Sequence, residues 1–280
     1  MADRNMSYKS ILENCKYEPS GKAPFGNPEY ISEPKYDGIR ATIIKRKNNI
    51  KIYSRYGNDI TEEFPELEVA ARKQIRGSIQ IDGEITMPGK KFGDLIGKLK
   101  AIKHRKHARV RFHAFDVLSK EGSSVKQLPL MERKAILKNS IGDGTIIKPT
   151  SYKQNPTKED YRKAVKKGYE GIVLKRKDSK YKPGKRMLDW IKVRKSQNID
   201  AKVVGIKNTK KGKMSFRIVD KGGRSLGLVS SAKLDTTQRN ILIQEVEHGR
   251  KPWVEVQGHN ITKKHKIRHP RIVRVRADLR

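Results

Sequence analysis

The segment Glu33-Pro34-Lys35-Tyr36-Asp37-Gly38-Ile39-Arg40 holds a lysine placed as a nucleophile would be. Pro34 biases the residue before it towards extended backbone, and Gly38 permits a turn straight afterwards. Lys35 is thereby held at the mouth of a turn and not on a helix face. A lysine amine attacks only after losing its proton, so its ordinary pKa of ~10.4 has to fall, through desolvation or neighbouring cations. By itself the pattern K-x-D-G fits a surface turn with a solvated lysine equally well. Other segments with chemical potential follow in order: Ser54-Arg55-Tyr56-Gly57, Asp82-Gly83-Glu84, Phe112-His113-Ala114-Phe115-Asp116, Glu170-Gly171-Ile172-Val173-Leu174-Lys175 and Trp190-Ile191-Lys192-Val193-Arg194-Lys195. Phe112 and Phe115 lie three apart, and an odd offset along a strand sends side chains to opposite faces, so one can pack in a core while the other lines a pocket.

Short strands are needed to hold these groups, and the pattern supplies them. RATIIKRK, IKIYSRYG, SIQIDGEIT and VRFHAFDVL alternate or run apolar for a few residues. Helical patterns fall between them at FPELEVAARKQI, LMERKAILKNSI and KEDYRKAVKKG, the last with Thr157 as N-cap and Asp160 three residues on. This mixture predicts an α+β domain with largely antiparallel sheets. Past about residue 196 the texture changes to AKVVGIKN, SFRIVD, SLGLVS, PWVEVQGHNI and RIVRVRA, with one helix candidate at TTQRNILIQEV. Five short strands and one helix fit a small Greek-key barrel such as an OB-fold. The lysine-rich KNTKKGKM reads as a hairpin tip. The boundary is expected at Lys195–Asn198.

The 280 residues include 65 Lys+Arg against 30 Asp+Glu, a formal net charge of +35. Such an excess points to a polyanionic partner, because lysine and arginine release condensed counterions when they neutralise phosphates. Two runs suit a nucleic-acid backbone: Lys98 to Arg111, with Lys100, Lys103, Arg105, Lys106 and Arg109 and no acid, and Lys175 to Arg186, with Arg176, Lys177, Lys180, Lys182 and Lys185. A solvated loop is the alternative for each. Cys15 is the single cysteine, which excludes an intramolecular disulfide framework and a cysteine-rich zinc site and suits a reducing compartment. No apolar run reaches ~18 residues, so no membrane-spanning helix is expected. The start MADRNMSYKS has no apolar signal region, and a cytoplasmic location is the expectation.

In this order and spacing the six segments resemble the covalent nucleotidyltransferases, specifically the ATP-dependent DNA ligases, from about Glu33 to Arg280. The resemblance implies an antiparallel-sheet adenylation domain over residues 1–196 followed by an OB-fold barrel over 197–280. It also implies a lysyl-AMP intermediate at Lys35, which attacks the α-phosphate of ATP. Arg40 matches a residue holding the nucleotide and later the nick, Arg55 a second arginine near DNA phosphates, and Lys192 a cation at the α-phosphate. Glu84 matches a carboxylate that contacts ribose and supports the divalent metal, Mg²⁺ or Mn²⁺, with Glu170 its second acid. Mg²⁺ takes one or two carboxylates plus substrate phosphates, so two separated acids suit it. Phe115 matches the aromatic stacked on adenine, and Glu33 the position that reads the adenine amino group. The family pattern has a lysine where Arg194 stands, which leaves that role to Arg194 or Lys195. The C-terminal Arg268-His269-Pro270-Arg271-Ile272-Val273-Arg274-Val275-Arg276-Ala277-Asp278 resembles the motif that orients the pyrophosphate, with Arg276 and Asp278 as candidates; the usual terminal lysine is replaced.

The expected activity is therefore sealing of 5′-phosphate/3′-hydroxyl nicks in duplex DNA, without sequence preference, by a monomer with no membrane partner that serves repair, replication or both. Only 34 residues precede Lys35, which leaves no room for the N-terminal DNA-binding domain of larger ligases. The rivals are an RNA ligase, a capping enzyme labelled by GTP, and a non-catalytic nucleic-acid-binding protein with a dead transferase fold.

Overall fold

A computed structural model of the chain describes residues 14–17, 23–89, 95, 109–184, 186–208, 214–259, 261–262 and 264–279. Most of the basic run from Lys98, the Lys185 position and the tip of the KNTKKGKM hairpin lie outside the described residues. The chain divides into two compact units, Met1–Arg194 and Lys195–Arg280.

The first unit holds two sheets. One runs in the order β1 (Asn14–Tyr17), β11 (Arg186–Arg194), β10 (Gly171–Arg176), β2 (Tyr30–Lys35), β9 (Lys153–Gln154). The other runs β4 (Asn49–Ser54), β3 (Ile39–Arg46), β5 (Ile79–Thr86), β6 (Arg111–Lys120), β7 (Ser123–Ser124), with β8 (Ile147–Pro149) beside β6. The pairing is antiparallel except for β1 with β11 and β6 with β8. Alternation drives the second sheet: Ala41 and Ile43, Ile50 and Ile52, and Ile79, Ile81 and Ile85 all face one core. Helix α1 (Pro65–Gln74) covers that core with Leu67, Ala70 and Ala71. Each fully buried Ile or Leu contributes roughly 1.5–3 kcal/mol through loss of apolar surface from water. Proline at the first position of α1 and Glu66 and Glu68 in its first turn suit its start. At its end Lys45 Nζ donates to Arg72 O at 3.1 Å. Helix α3 (Lys158–Lys166) starts at a capping box: Thr157 Oγ1 accepts from Asp160 N at 3.2 Å, and Asp160 Oδ2 accepts from Thr157 N at 2.9 Å.

Helix α2 (Leu130–Ser140) is held by a charge that its sequence pattern hides. Arg133 and Asp116 of β6 are both fully buried and form a bidentate pair, Nε to Oδ1 at 2.8 Å and Nη2 to Oδ2 at 2.9 Å. Arg133 Nη1 also donates to Leu128 O at 2.6 Å and Ser179 O at 2.7 Å. Every part of this guanidinium is engaged, which is the condition under which a buried ion pair is tolerated.

The second unit is a five-stranded antiparallel sheet in the order β14 (Ser225–Val229), β13 (Met214–Val219), β12 (Gln197–Asn208), β15 (Trp253–Gly258), β16 (Arg271–Val275). Helix α4 (Thr236–Glu247) lies between β14 and β15 in sequence, and its N-cap Asp235 accepts from Gln238 N at 2.8 Å. Phe216, Leu226, Val254, Ile272 and Leu242 share its core. The closed barrel expected from the sequence is not what the ladders form. They leave an open sheet whose edge segments meet at a single parallel bridge, Ser230 with Arg271, where Ile272 N donates to Ser230 O at 3.0 Å. β14 ends at Val229, just before the bridge, so no ladder follows along β16.

Replacing Arg133 with alanine should lower unfolding free energy by about 3–5 kcal/mol, because Asp116 is left as a buried, unpaired charge. Urea melts of wild type and Arg133→Ala check this; midpoints that coincide would show the pair to be irrelevant to stability.

Candidate active site

The register of three strands brings the candidate residues to one face. Gly171 on β10 stands opposite Lys35 of β2 on one side and Arg194 of β11 on the other. Two residues along, Val173 stands between Glu33 and Lys192; two further, Lys175 stands between Ile31 and Trp190. Directly opposed residues share a face. So Glu33, Lys35, Lys175, Trp190, Lys192 and Arg194 crowd one side, while Ile172, Leu174, Ile191 and Val193 fill a core on the other. Gly171 has φ of 153°, and a Cβ there would lie 2.0 Å from Val193 O, so no other residue fits between these strands.

Lys35 Nζ donates to Glu170 Oε2 at 2.6 Å, and Arg194 Nη1 donates to Glu170 Oε1 at 3.3 Å. The backbone reinforces this, since Glu170 N donates to Lys35 O at 3.0 Å. Burial would raise the Glu170 carboxyl, but Lys35 and Arg194 outweigh it and hold it below the usual range. Glu170, expected beside Glu84 as a metal ligand, pairs with these two cations. Lys192 lies on the same face, registered with Val173, and Arg194 rather than Lys195 takes the Glu170 contact.

Arg40 of β3 is clamped by Asp82 of β5: Nε to Oδ1 at 3.2 Å and Nη2 to Oδ2 at 2.7 Å. Tyr181 completes the clamp, its hydroxyl donating to Asp82 Oδ2 at 2.8 Å and accepting from Arg40 Nη2 at 3.2 Å. The arginine lies over the Phe115 ring at 5.4 Å. Phe112 is fully buried in the core, and Phe115 is partly exposed, edge-on to Trp190 at 6.1 Å. A register shift explains this better than parity alone. Asp82 pairs with Asp116 but Gly83 with Ala114, so Phe115 is the extra residue of a β-bulge, a device that re-aims a side chain.

Glu84 sits beside Arg40 in the β3–β5 ladder, close under the turn at Gly38, where a Cβ would lie 3.0 Å from its Cγ and 2.1 Å from Ile85 O. Burial pushes its carboxyl up to about 7 against the pull of Lys35 and Arg40. Among the described residues its carboxylate makes no hydrogen bond or ion pair, and no three His, Cys, Asp or Glu gather around a common point. One carboxylate without a hydrogen bond, beside a wall of cations, suits Mg²⁺, which takes one or two protein carboxylates and fills its remaining positions with other oxygens and water.

Glu33 is almost fully buried between two lysines, with Lys175 Nζ at 2.9 Å and Lys134 Nζ of α2 in contact with its other oxygen. Lys175, assigned to a DNA-facing run from the sequence, is therefore an interior residue; Trp190 and Phe115 cover it. Of the same run, Lys180 is exposed and Lys182 pairs with Asp189 at 3.4 Å. Arg55 is exposed on a turn whose backbone docks on the site strand, Arg55 N donating to Arg40 O at 3.1 Å. Arg276 belongs to the second unit, where Asp200 accepts from Nη1 at 2.6 Å and Asp278 from Nη2 at 2.7 Å. The clamp of Asp82 and Tyr181, the lysine at 134 and the stacking of Tyr36 on His113, with centroids 3.6 Å apart, were not found from sequence. Asp82 was visible only as a member of its motif; the others carry no local signal.

Comparison with known proteins gives this arrangement its class. A Lig E DNA ligase, solved in work on DNA binding with a minimal scaffold, superposes with a TM-score of 0.70 at 22% identity, over 95% of this chain and 99% of its own. Mycobacterial DNA ligase D complexed with ATP and MES superposes with a TM-score of 0.60 at 19% identity, over 97% and 96%. The mixed α/β fold is thus that of ATP-dependent ligase adenylation domains. The profile of the ATP dependent DNA ligase domain matches residues 1–194. The SPbeta prophage-derived DNA ligase-like protein LigB of Bacillus subtilis (strain 168) is 32% identical over 210 residues, 74% of this chain and 76% of that protein. A DNA ligase of Methanothrix thermoacetophila is 32% identical over 186 residues, 62% of this chain but 34% of its own length, so the chain spans about a third of that longer relative. The chain belongs to the ATP-dependent DNA ligase family.

Burial, with Arg111 nearby, lowers His113 to about 4 from an ordinary 6.5, and Thr86 Oγ1 lies 2.9 Å from its Nε2. A histidine lowered in the folded state binds protons more readily when unfolded, so its contribution is present above about 6.5 and is lost as pH falls towards 4. Unfolding free energy should therefore drop by about 2–3 kcal/mol across that window, and His113→Gln should remove that part of the slope. Denaturant melts at pH 7, 5.5 and 4 measure it; parallel slopes for the two proteins would refute the assignment.

Proposed function

We propose that residues 1–196 form an adenylation domain in which Lys35 is the nucleophile of a three-step nick-sealing reaction, and that residues 197–280 form an OB-fold domain serving the same reaction. The observation that carries this reading is the single cation-rich face on which Lys35, Lys192 and Arg194 converge, with Glu170 2.6 Å from the attacking amine. In the first step the Lys35 nitrogen bonds to the α-phosphorus of ATP as the bond to pyrophosphate breaks. Glu170 Oε2 is within reach of the proton that leaves the amine. Lys192 and Arg194 offset charge on the five-coordinate phosphorus. Phe115 stacks on adenine and Glu33 accepts from its amino group. Glu84 would hold the Mg²⁺ or Mn²⁺, which supplies charge neutralisation at the phosphates.

In the second step the 5′-phosphate at a nick takes AMP from Lys35, and in the third the 3′-hydroxyl attacks and expels AMP. Arg40, pre-set by Asp82 and Tyr181, and the exposed Arg55 are the phosphate ligands for the DNA, since an arginine fork meets phosphate oxygens at two points. The OB-fold reading of the second unit rests on its strand order, on the helix between its third and fourth strands and on the parallel bridge between its third and fifth. Arg276 is its candidate for the pyrophosphate. Nicked duplex DNA is the substrate that the +35 charge suits, bound without sequence preference by a monomer. No helix of the described residues is long and apolar enough to cross a membrane.

Incubation with α-labelled ATP and Mg²⁺ should put label on the wild-type chain in a denaturing gel and none on Lys35→Ala. A chase with nicked DNA should then discharge it. A wild-type chain that stays unlabelled would support the dead-fold alternative. Raising salt from 50 to 200 mM should cut sealing roughly a hundredfold or more while labelling of the lysine changes little, because only sealing needs phosphate contacts along DNA. Equal loss of the two activities would show that basicity does not do the DNA binding.

A further inference from the structure

The two lysines that pair with Glu33 have no role in the steps at Lys35. Glu33, Lys134 and Lys175 are 2%, 7% and 2% exposed. The two lysines approach different oxygens of Glu33, Lys134 at Oε1 and Lys175 at Oε2. Each oxygen of this nearly buried carboxylate thus faces its own ammonium, the condition under which a buried charge is tolerated. Lys175 is fixed in turn by aromatics, its Nζ 3.9 Å from the Trp190 ring centre and 4.6 Å from that of Phe115, and Glu33 shares its face of β2 with Lys35.

We propose that Lys134 of α2 is a positioning residue for base selection, one that acts through Glu33. This rests on the reading of Lys35 as the site of adenylylation. A carboxylate only accepts hydrogen bonds and an ammonium only donates them. Held at both oxygens, the Glu33 carboxylate has one orientation and turns its remaining lone pairs towards an amino group on the base. Without Lys134 it pivots about Lys175 and the acceptor loses its aim. Burial draws the Lys134 amine below the usual lysine range while Glu33 pulls it back up, so the two groups depend on each other.

The test compares ATP with purine riboside triphosphate, which lacks the 6-amino group, in the labelling reaction. Wild type, Lys134→Met, Glu33→Gln and the double variant are measured for kcat and KM, with melting curves for folding; Lys134→Gln carries the same comparison should Lys134→Met not fold. Wild type should prefer ATP by about tenfold to a hundredfold in kcat/KM, the size expected of one hydrogen bond to a charged group. Lys134→Met should lose most of that preference, more through KM for ATP than through kcat, and should add nothing to Glu33→Gln. If Lys134→Met slows both nucleotides by the same factor, or still lowers the preference in the Glu33→Gln background, the proposal is overturned while the adenylylation reading stands. A wild-type chain that takes no label from either nucleotide overturns that reading instead.

Discussion

A strand turns alternate side chains to opposite sides, and the site depends on how three strands keep step under that rule. Gly171 is the pin. It lies between Lys35 and Arg194, and Val193 O comes so close that a methyl group has no room. A slip of one residue in either ladder would send Lys35 or Lys192 into the apolar layer with Ile172 and Val193 and bring those aliphatics to the charged face. The apolar layer is therefore what enforces the placement of the charged one. Side chains of the apolar layer determine which way Lys35 points.

Charge is managed in the same unit by matching almost every inward cation to an acid. Asp82 and Asp116 oppose each other across β5 and β6, both fully buried, and each has its own arginine, Arg40 and Arg133. Like charges at that position would repel strongly if either arginine were absent. Glu170 takes Lys35 and Arg194, and Glu33 takes Lys134 and Lys175. Glu84 is the exception, pushed up to about 7 by burial and without a hydrogen bond or ion pair among the described residues. In a chain of net charge +35 the acids are few, and those in the first unit's interior are spent on orientation.

What could be read from the sequence and what could not divide along physical lines. Alternation and capping are local, so the strands around Ile43, Ile52 and Ile81 and the capping box at Thr157 were legible, as were the ordered motifs that carry Lys35, Glu84 and Glu170. Pairs between distant segments have no period. Arg133 meets Asp116 17 residues away, Arg40 meets Asp82 42 away and Tyr181 meets Asp82 99 away. Lys175 was misread because a run of basic residues looks solvated until Trp190 and Phe115 are known to cover it. Phe115 reached the pocket side through a bulge and not through simple parity. The barrel expected of the second unit came out as an open sheet because strand count and turn spacing say nothing about whether edges pair along their length.

The order of strands in the first sheet has a consequence for biosynthesis. β2, which carries Lys35, is made early, whereas its neighbour β10 and the next strand, β11, come more than a hundred residues later in the chain. At translation speeds of about 5–20 residues per second, the strand that carries Lys35 waits several seconds with both edges uncovered, since its other neighbour β9 also follows more than a hundred residues later. Its contacts are of long sequence separation, the kind that form slowly because a large loop must close first. A ribosome-bound fragment ending before Glu170 thus has Lys35 but neither the acid that pairs with it nor the cations of β11. The full set of groups around Lys35 assembles only near the end of the first unit's synthesis.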